Sequence, residues 1–172
     1  VNTVITGGVF NADGASMSTV MGSLSNGTLG GAGTFTVTGT LTWTGGTMSG
    51  TGATVIPAGA LLQIDGTATK TLTTRTLTNN GTATWSGTGN LALNNSVLQN
   101  AGTFTALNNQ SITWNGGSPV ISNSGTFRKS GGTGTTTVGN LPFNNTGTVE
   151  VNSGTVVLSD GGSSSGSFVI VG

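Results

Sequence analysis

The sequence predicts an all-β fold, a parallel β-helix (β-solenoid) with coils of about 22 residues and three short strands per coil. Three observations predict it: a composition dominated by small residues, apolar and polar residues alternating with period two, and a Gly-Thr-apolar element that recurs at near-constant spacing. Of the 172 residues, 34 are Thr, 32 Gly, 18 Ser and 17 Asn, and only eight side chains are charged, four of each sign. Ordinary globular domains are about a quarter charged. Disordered chains usually pair low hydrophobicity with high net charge. Here the net charge is zero and β-branched and aromatic residues recur throughout, so the chain is expected to fold.

The absences exclude whole classes of function. Without His or Cys there is no ordinary zinc or haem site, no thiol nucleophile, no Ser-His-Asp triad and no disulfide, so no cofactor is expected. Four basic residues cannot neutralise the roughly six to ten phosphates of a typical nucleic-acid footprint, which argues against a nucleic-acid partner. No apolar run approaches the roughly 18 residues of a transmembrane helix. The chain opens at Val1 in mid-pattern, without a signal peptide, and is expected to be a piece of a longer one.

Taken in order, the strands announce themselves by alternation. Thr34-Phe35-Thr36-Val37-Thr38 and Thr40-Leu41-Thr42-Trp43-Thr44 alternate polar and apolar, as half-buried strands do, and no stretch has helical spacing. The Gly-Thr-apolar element opens at Gly81, Gly102, Gly125 and Gly147, with spacings of 21, 23 and 22 residues. Counting back 22 from Gly81 reaches Gly59-Ala60-Leu61, and Gly166-Ser167-Phe168 follows Gly147 after 19. A second strand per repeat is supplied by Leu91/Leu93, Ile112/Trp114, Val138 and Val156/Leu158. A weaker third appears at Val97-Leu98, Val120-Ile121 and Leu141/Phe143. The chain therefore reads as one solenoid segment, 1–172, with looser register over 1–58 and regular coils over 59–172. A β-sandwich is the competing architecture, but its hairpins space strands by about 8–12 residues without a 22-residue register.

Stacked coils place equivalent residues about 4.8 Å apart, so columns of the sequence become columns of side chains. Ala83, Trp85, Phe104, Ala106, Phe127, Val149, Val151 and Phe168 fall in the inward phase. The large-small order is reversed between Ala83/Trp85 and Phe104/Ala106, which suits a narrow core. Trp114 is placed in the core on the same grounds, and Trp43 is left open. Asn79, Asn100, Asn123 and Asn145 precede each opening glycine by two residues and are expected to hydrogen-bond in a ladder along the axis. The alternative is that each Asn serves a left-handed turn. Arg128 and Glu150 occupy one place in consecutive coils and are expected to pair across them. Lys129 follows in an inward phase, so the strand is expected to end before it.

Two runs carry a resemblance. Gly27-Thr-Leu-Gly-Gly-Ala-Gly-Thr-Phe-Thr-Val, continuing through Gly39-Thr-Leu-Thr-Trp-Thr-Gly-Gly-Thr-Met-Ser-Gly, is the first. Asn144-Asn-Thr-Gly-Thr-Val-Glu-Val-Asn-Ser-Gly-Thr-Val-Val-Leu is the second. Both resemble the repetitive right-handed β-helix regions of very large secreted or surface-anchored bacterial proteins, adhesin-like and autotransporter-like. The resemblance spans nearly the whole chain and implies an extracellular or cell-surface scaffold. Its motifs are low in complexity and speak to fold and setting more than to activity.

The remaining candidates are weaker. Polysaccharide-cleaving β-helices need clustered acids, whereas Asp13, Asp65, Glu150 and Asp160 are scattered, so no enzyme is expected. Ser159-Asp160-Gly161-Gly162 lacks the second acid of a calcium-binding turn. The pairs Thr34/Thr36, Thr82/Thr84 and Thr103/Thr105 are expected on one outer face, as in ice-binding solenoids, interrupted at Ala60/Leu62, Arg128 and Glu150. The expected function is a structural segment of a bacterial surface protein or filament. An adhesin module that binds glycans or neighbouring chains through a lateral face is the alternative. The apolar strand Ser167–Val171 has no cap, so further coils of the same chain or end-to-end self-association are the expected partners.

Overall fold

The computed structural model describes residues 1–14 and 16–171. They form a β-solenoid of about eight turns, roughly 21 residues per turn, with no helix among the described residues. Three faces run along the axis. The first stacks Ala53–Ile56, Thr76–Asn79, Val97–Asn100, Val120–Asn123 and Phe143–Asn145 in parallel. The second stacks Leu61–Ile64, Thr82–Trp85, Thr103–Ala106, Thr126–Lys129, Thr148–Val151 and Ser167–Ile170. The third is an eight-stranded parallel sheet running from Val9–Asn11 to Thr155–Leu158.

The first two faces join into one 14-stranded sheet because two long strands, Met17–Leu24 and Thr34–Trp43, continue round the corner between them. This changes the expected register. Thr34 and Thr36 pair with Ala53 and Val55 on the first face, whereas Thr40 and Thr42 lead into the second through Leu61 and Gln63. Thr34/Thr36 therefore do not share a face with Thr82/Thr84 and Thr103/Thr105. The coil between Leu61 and Thr82 is 21 residues, so Leu61 and Gln63 take the outward places assigned to Ala60 and Leu62. Ala60 and Leu62 are buried.

Alternation decides what lies inside. Ala83 pairs with Phe104 and Trp85 with Ala106, small against large in adjacent coils, and all four side chains are fully buried. Above them large meets large: the Phe104 and Phe127 rings stack 5.3 Å apart at 9°, and Phe143 closes on Phe127 edge-on. Val149 and Val151 are buried as well. Phe168 pairs in register with Val149 but is 54% exposed, because its strand is the outermost of the stack.

One column of glycines has a steric cause. A Cβ on Gly102, Gly125 or Gly147 would run into the carbonyl oxygen of the equivalent glycine one coil below: Gly81, Gly102 and Gly125 respectively. The glycine that opens each Gly-Thr-apolar element is the residue that lets successive backbones approach at that corner.

Candidate functional site

Four polar features and one cleft stand out from the repeating frame. The first is the asparagine column at the inner end of the first-face strands. Asn79 Nδ2 donates to Asn100 Oδ1 at 2.8 Å, Asn100 Nδ2 to Asn123 Oδ1 at 2.7 Å, and Asn123 Nδ2 to Asn145 Oδ1 at 2.8 Å. Each of these three amides also donates to the carbonyl of a second-face strand, at Thr103, Thr126 and Thr148. The column thus ties two faces together and, except at its lower end, satisfies its own side-chain oxygens. At its lower end Asn79 stands over Ile56, and Asn79 Oδ1 is buried without a donor.

The second is the outer pair. Arg128 and Glu150 are register partners, and Arg128 Nε donates to Glu150 Oε2 at 2.8 Å. Asn152 Nδ2 donates to the other carboxylate oxygen at 2.9 Å. The Arg128 bond first, and then that of Asn152, hold the Glu150 carboxyl below its ordinary value of 4.5. A carboxyl depressed in the folded state contributes stability above its unfolded pKa and loses it as pH falls through the lowered native value. In a carbon-detected carboxyl titration Glu150 is expected to titrate below 4.5 and to move up toward it in Arg128→Met. An unchanged midpoint in that variant would show that Arg128 does not hold the carboxylate.

The third is a set of buried cations, which the sequence reading did not anticipate. Lys129 lies within its strand, fully buried, where the strand was expected to stop. Its Nζ donates to Asn108 O at 2.7 Å, Gly131 O at 2.9 Å and Asn109 Oδ1 at 3.1 Å. Lys70 takes the inward place of Leu91 in the next coil and donates to Asp65 O and Gly66 O. Burial pulls both amines below their ordinary value; the Asp65 charge works the other way on Lys70. Arg75, 1% exposed, sits at the corner where the third face turns into the first. Its guanidinium donates to Gly31 O, Ser49 O, Gly33 O, Ala53 O and Thr54 Oγ1, in the coils below. Burial lowers its pKa too, yet an arginine side chain stays charged. In each case the ion is met by uncharged carbonyl, amide or hydroxyl oxygens at a corner.

The fourth is the threonine face. Thr82/Thr84 and Thr103/Thr105 stack in register on the second face, bounded by Leu61/Gln63 below and Thr126/Arg128 above. Both residues are Thr on only two successive coils there, so a large side chain interrupts the flat array on either side.

The cleft opens where the third face meets the first. Its cavity is about 320 Å³, walled by Pro119 and Pro142, with Trp114, Asn140 and Asp160 on its lining. Trp114 pairs with Leu93, which is buried, yet the indole is 51% exposed instead of lying in the core. The reason lies in the corner beyond it. From Leu72 and Leu93 the chain reaches the first face after three residues, but from their register partner Trp114 it takes five, Asn115–Pro119. Gly116 and Gly117 take positive φ of 122° and 60° there. This longer turn accepts the Trp114 Nε1 proton at Gly117 O, 2.9 Å away, and fixes the indole outside. The other two tryptophans, Trp43 and Trp85, are buried. Among the described residues no three His, Cys, Asp or Glu converge as metal ligands.

Stacked parallel coils with a continuous core define a β-solenoid repeat protein. No protein-family model, no curated protein and no solved structure matches the chain.

Proposed function

We propose that this chain is an elongated structural scaffold, a β-solenoid segment of an extracellular bacterial surface protein or filament. The observation that carries the reading is the in-register column Ser23, Thr42, Gln63, Thr84, Thr105, Arg128, Glu150, Val169, which advances one coil per residue along the second face. Length in such a body is set by coil number, and, the two-coil reach of Arg75 apart, each coil packs on its neighbours. The composition and the resemblance of its repeats to bacterial surface proteins supply the setting. The outermost strands Asn2–Ile5 and Ser167–Ile170 lie on the same face and expose Val4 and Ile170, so further coils or a second copy would continue the stack in phase.

The test uses the absence of native cysteine. Spin labels at Ser23→Cys and Val169→Cys lie seven coil steps apart, about 34 Å at the strand spacing. Deleting residues 82–102 removes one 21-residue coil and joins Gly81 to Thr103 in register. The pulsed-EPR distance is expected to shorten by about 5 Å with its width preserved. A broad distribution, or loss of the β-sheet circular dichroism, would overturn the scaffold reading, because length would then not be modular.

A further inference from the structure

We propose that the Trp114 cleft is a saccharide-binding site, taking a neutral sugar ring against the exposed indole face. Three observations converge on it. First, Trp114 stands in the inward phase of its strand and is nevertheless held outside. Its N–H is already committed to Gly117 O, so the indole offers a ligand only its π-faces. Second, the cavity is lined by a turn two residues longer than those of the two coils below, counted between register partners. Third, the cavity places a carboxylate, Asp160, and an amide, Asn140, beside that aromatic platform and the rings of Pro119 and Pro142.

The chemistry selects the class of ligand. The C–H face of a pyranose carries partial positive charge and packs on the negative face of an indole, while its rim of hydroxyls donates and accepts hydrogen bonds. Asp160 accepts, and Asn140 both donates and accepts, which matches vicinal hydroxyls. A volume of about 320 Å³ lies at the small end of ligand pockets and admits one or two rings. Trp114, Asn140 and Asp160 belong to three successive coils, so the site extends about 10 Å along the axis. No Lys or Arg lines the cleft, which leaves an anionic ligand without a partner. A quaternary ammonium would find one aromatic face where recognition of such cations uses an aromatic cage. Asn140 holds its place through a left-handed backbone, φ 59°, and asparagine tolerates that conformation better than most residues.

The proposal is independent of the scaffold role, since the coil deletion described above leaves every residue of the cleft in place. The test is tryptophan emission and calorimetry on the intact chain with cello-, chito-, malto- and manno-tetraose, and with choline as the cationic probe. Trp43 and Trp85 are buried, so a ligand-dependent shift in emission reports Trp114. At least one tetrasaccharide is expected to bind with Kd of about 1 mM or tighter. Trp114→Ala should weaken it more than tenfold and Asp160→Asn severalfold, with thermal unfolding unchanged because both side chains lie outside the core. Trp114→Phe should restore part of the affinity. Three results would each overturn the assignment: no saccharide binding up to about 10 mM, binding that survives Trp114→Ala, or Asp160-dependent binding of choline in place of sugars.

Discussion

Asn123→Ala is expected to destabilise the solenoid by about 2–4 kcal/mol, one of the largest effects of any uncharged substitution in the chain. The alanine takes away the donor of Asn145 Oδ1, an acceptor of Asn100 Nδ2, and the amide bond to Thr148 O. A buried acceptor left without a donor costs about 1–3 kcal/mol, and each lost hydrogen bond adds about 1. The same ladder supplies its own control. Asn79 is the end of the column, with an unpaired Oδ1 over Ile56. Asn79→Leu removes that orphan and packs carbon on Ile56, but leaves Asn100 Oδ1 without its donor and loses the bond to Thr103 O. The gain offsets part of these losses, so this variant should cost about 1–2 kcal/mol, less than Asn123→Ala. Urea unfolding of the two variants at constant m checks the contrast. Equal losses at Asn79 and Asn123 would show that each asparagine serves its own turn and that the ladder carries no coupling.

The ladder was legible because identical residues recur at the coil spacing, and stacking turns a sequence column into a spatial one. The same reasoning placed Arg128 against Glu150 and interleaved Ala83/Trp85 with Phe104/Ala106. It stopped where a residue's phase and its chemistry disagree. Lys129 stands in an inward phase, and its charge suggested that the strand must end. The structure keeps the strand and buries the lysine, because four methylenes pack like an apolar side chain while the amine reaches three oxygens at the corner. Trp114 shows the converse. Its phase is inward and its chemistry is apolar, yet the longer turn that follows carries it outside.

Register failed for a different reason. Thr34–Trp43 is a single strand that serves two faces, so its two Thr-apolar words look alike in sequence and stand on different sides of a corner. Nothing in the alternation marks that bend. The opening glycines were visible as a recurring column, but their close contact with the coil below depends on neighbours about 21 residues away and emerges only when the coils are stacked.

Arg75 was the least legible residue and carries the other large prediction. It falls in the polar run Thr73-Thr74-Arg75-Thr76, where a charged side chain would ordinarily point to solvent. Thr74 adopts a left-handed φ of 54°, rare for a β-branched residue, and this turns the chain so that the next side chain enters the stack. The guanidinium then donates five bonds to residues of the two coils below, with no carboxylate among its partners. Two effects oppose each other on its removal. Deleting a desolvated charge relieves a penalty, as when buried ions are replaced by well-packed apolar groups. Against this, Ser49 O, Ala53 O and Thr54 Oγ1 lose a charge-assisted donor, each bond worth about 1.5–3 kcal/mol. Three or more such losses outweigh the relief, so Arg75→Met is expected to cost about 3–5 kcal/mol. Arg75→Lys should recover less than half, because a point ammonium lacks the planar fork that spans two coils. The damage should also be local: amide protection is expected to fall over residues 31–54 while residues 100–151 keep theirs, since coils that far away share no contact with the corner. If Arg75→Met proved neutral or stabilising, desolvation would dominate, and the arginine would be a tolerated charge instead of the staple that joins these coils.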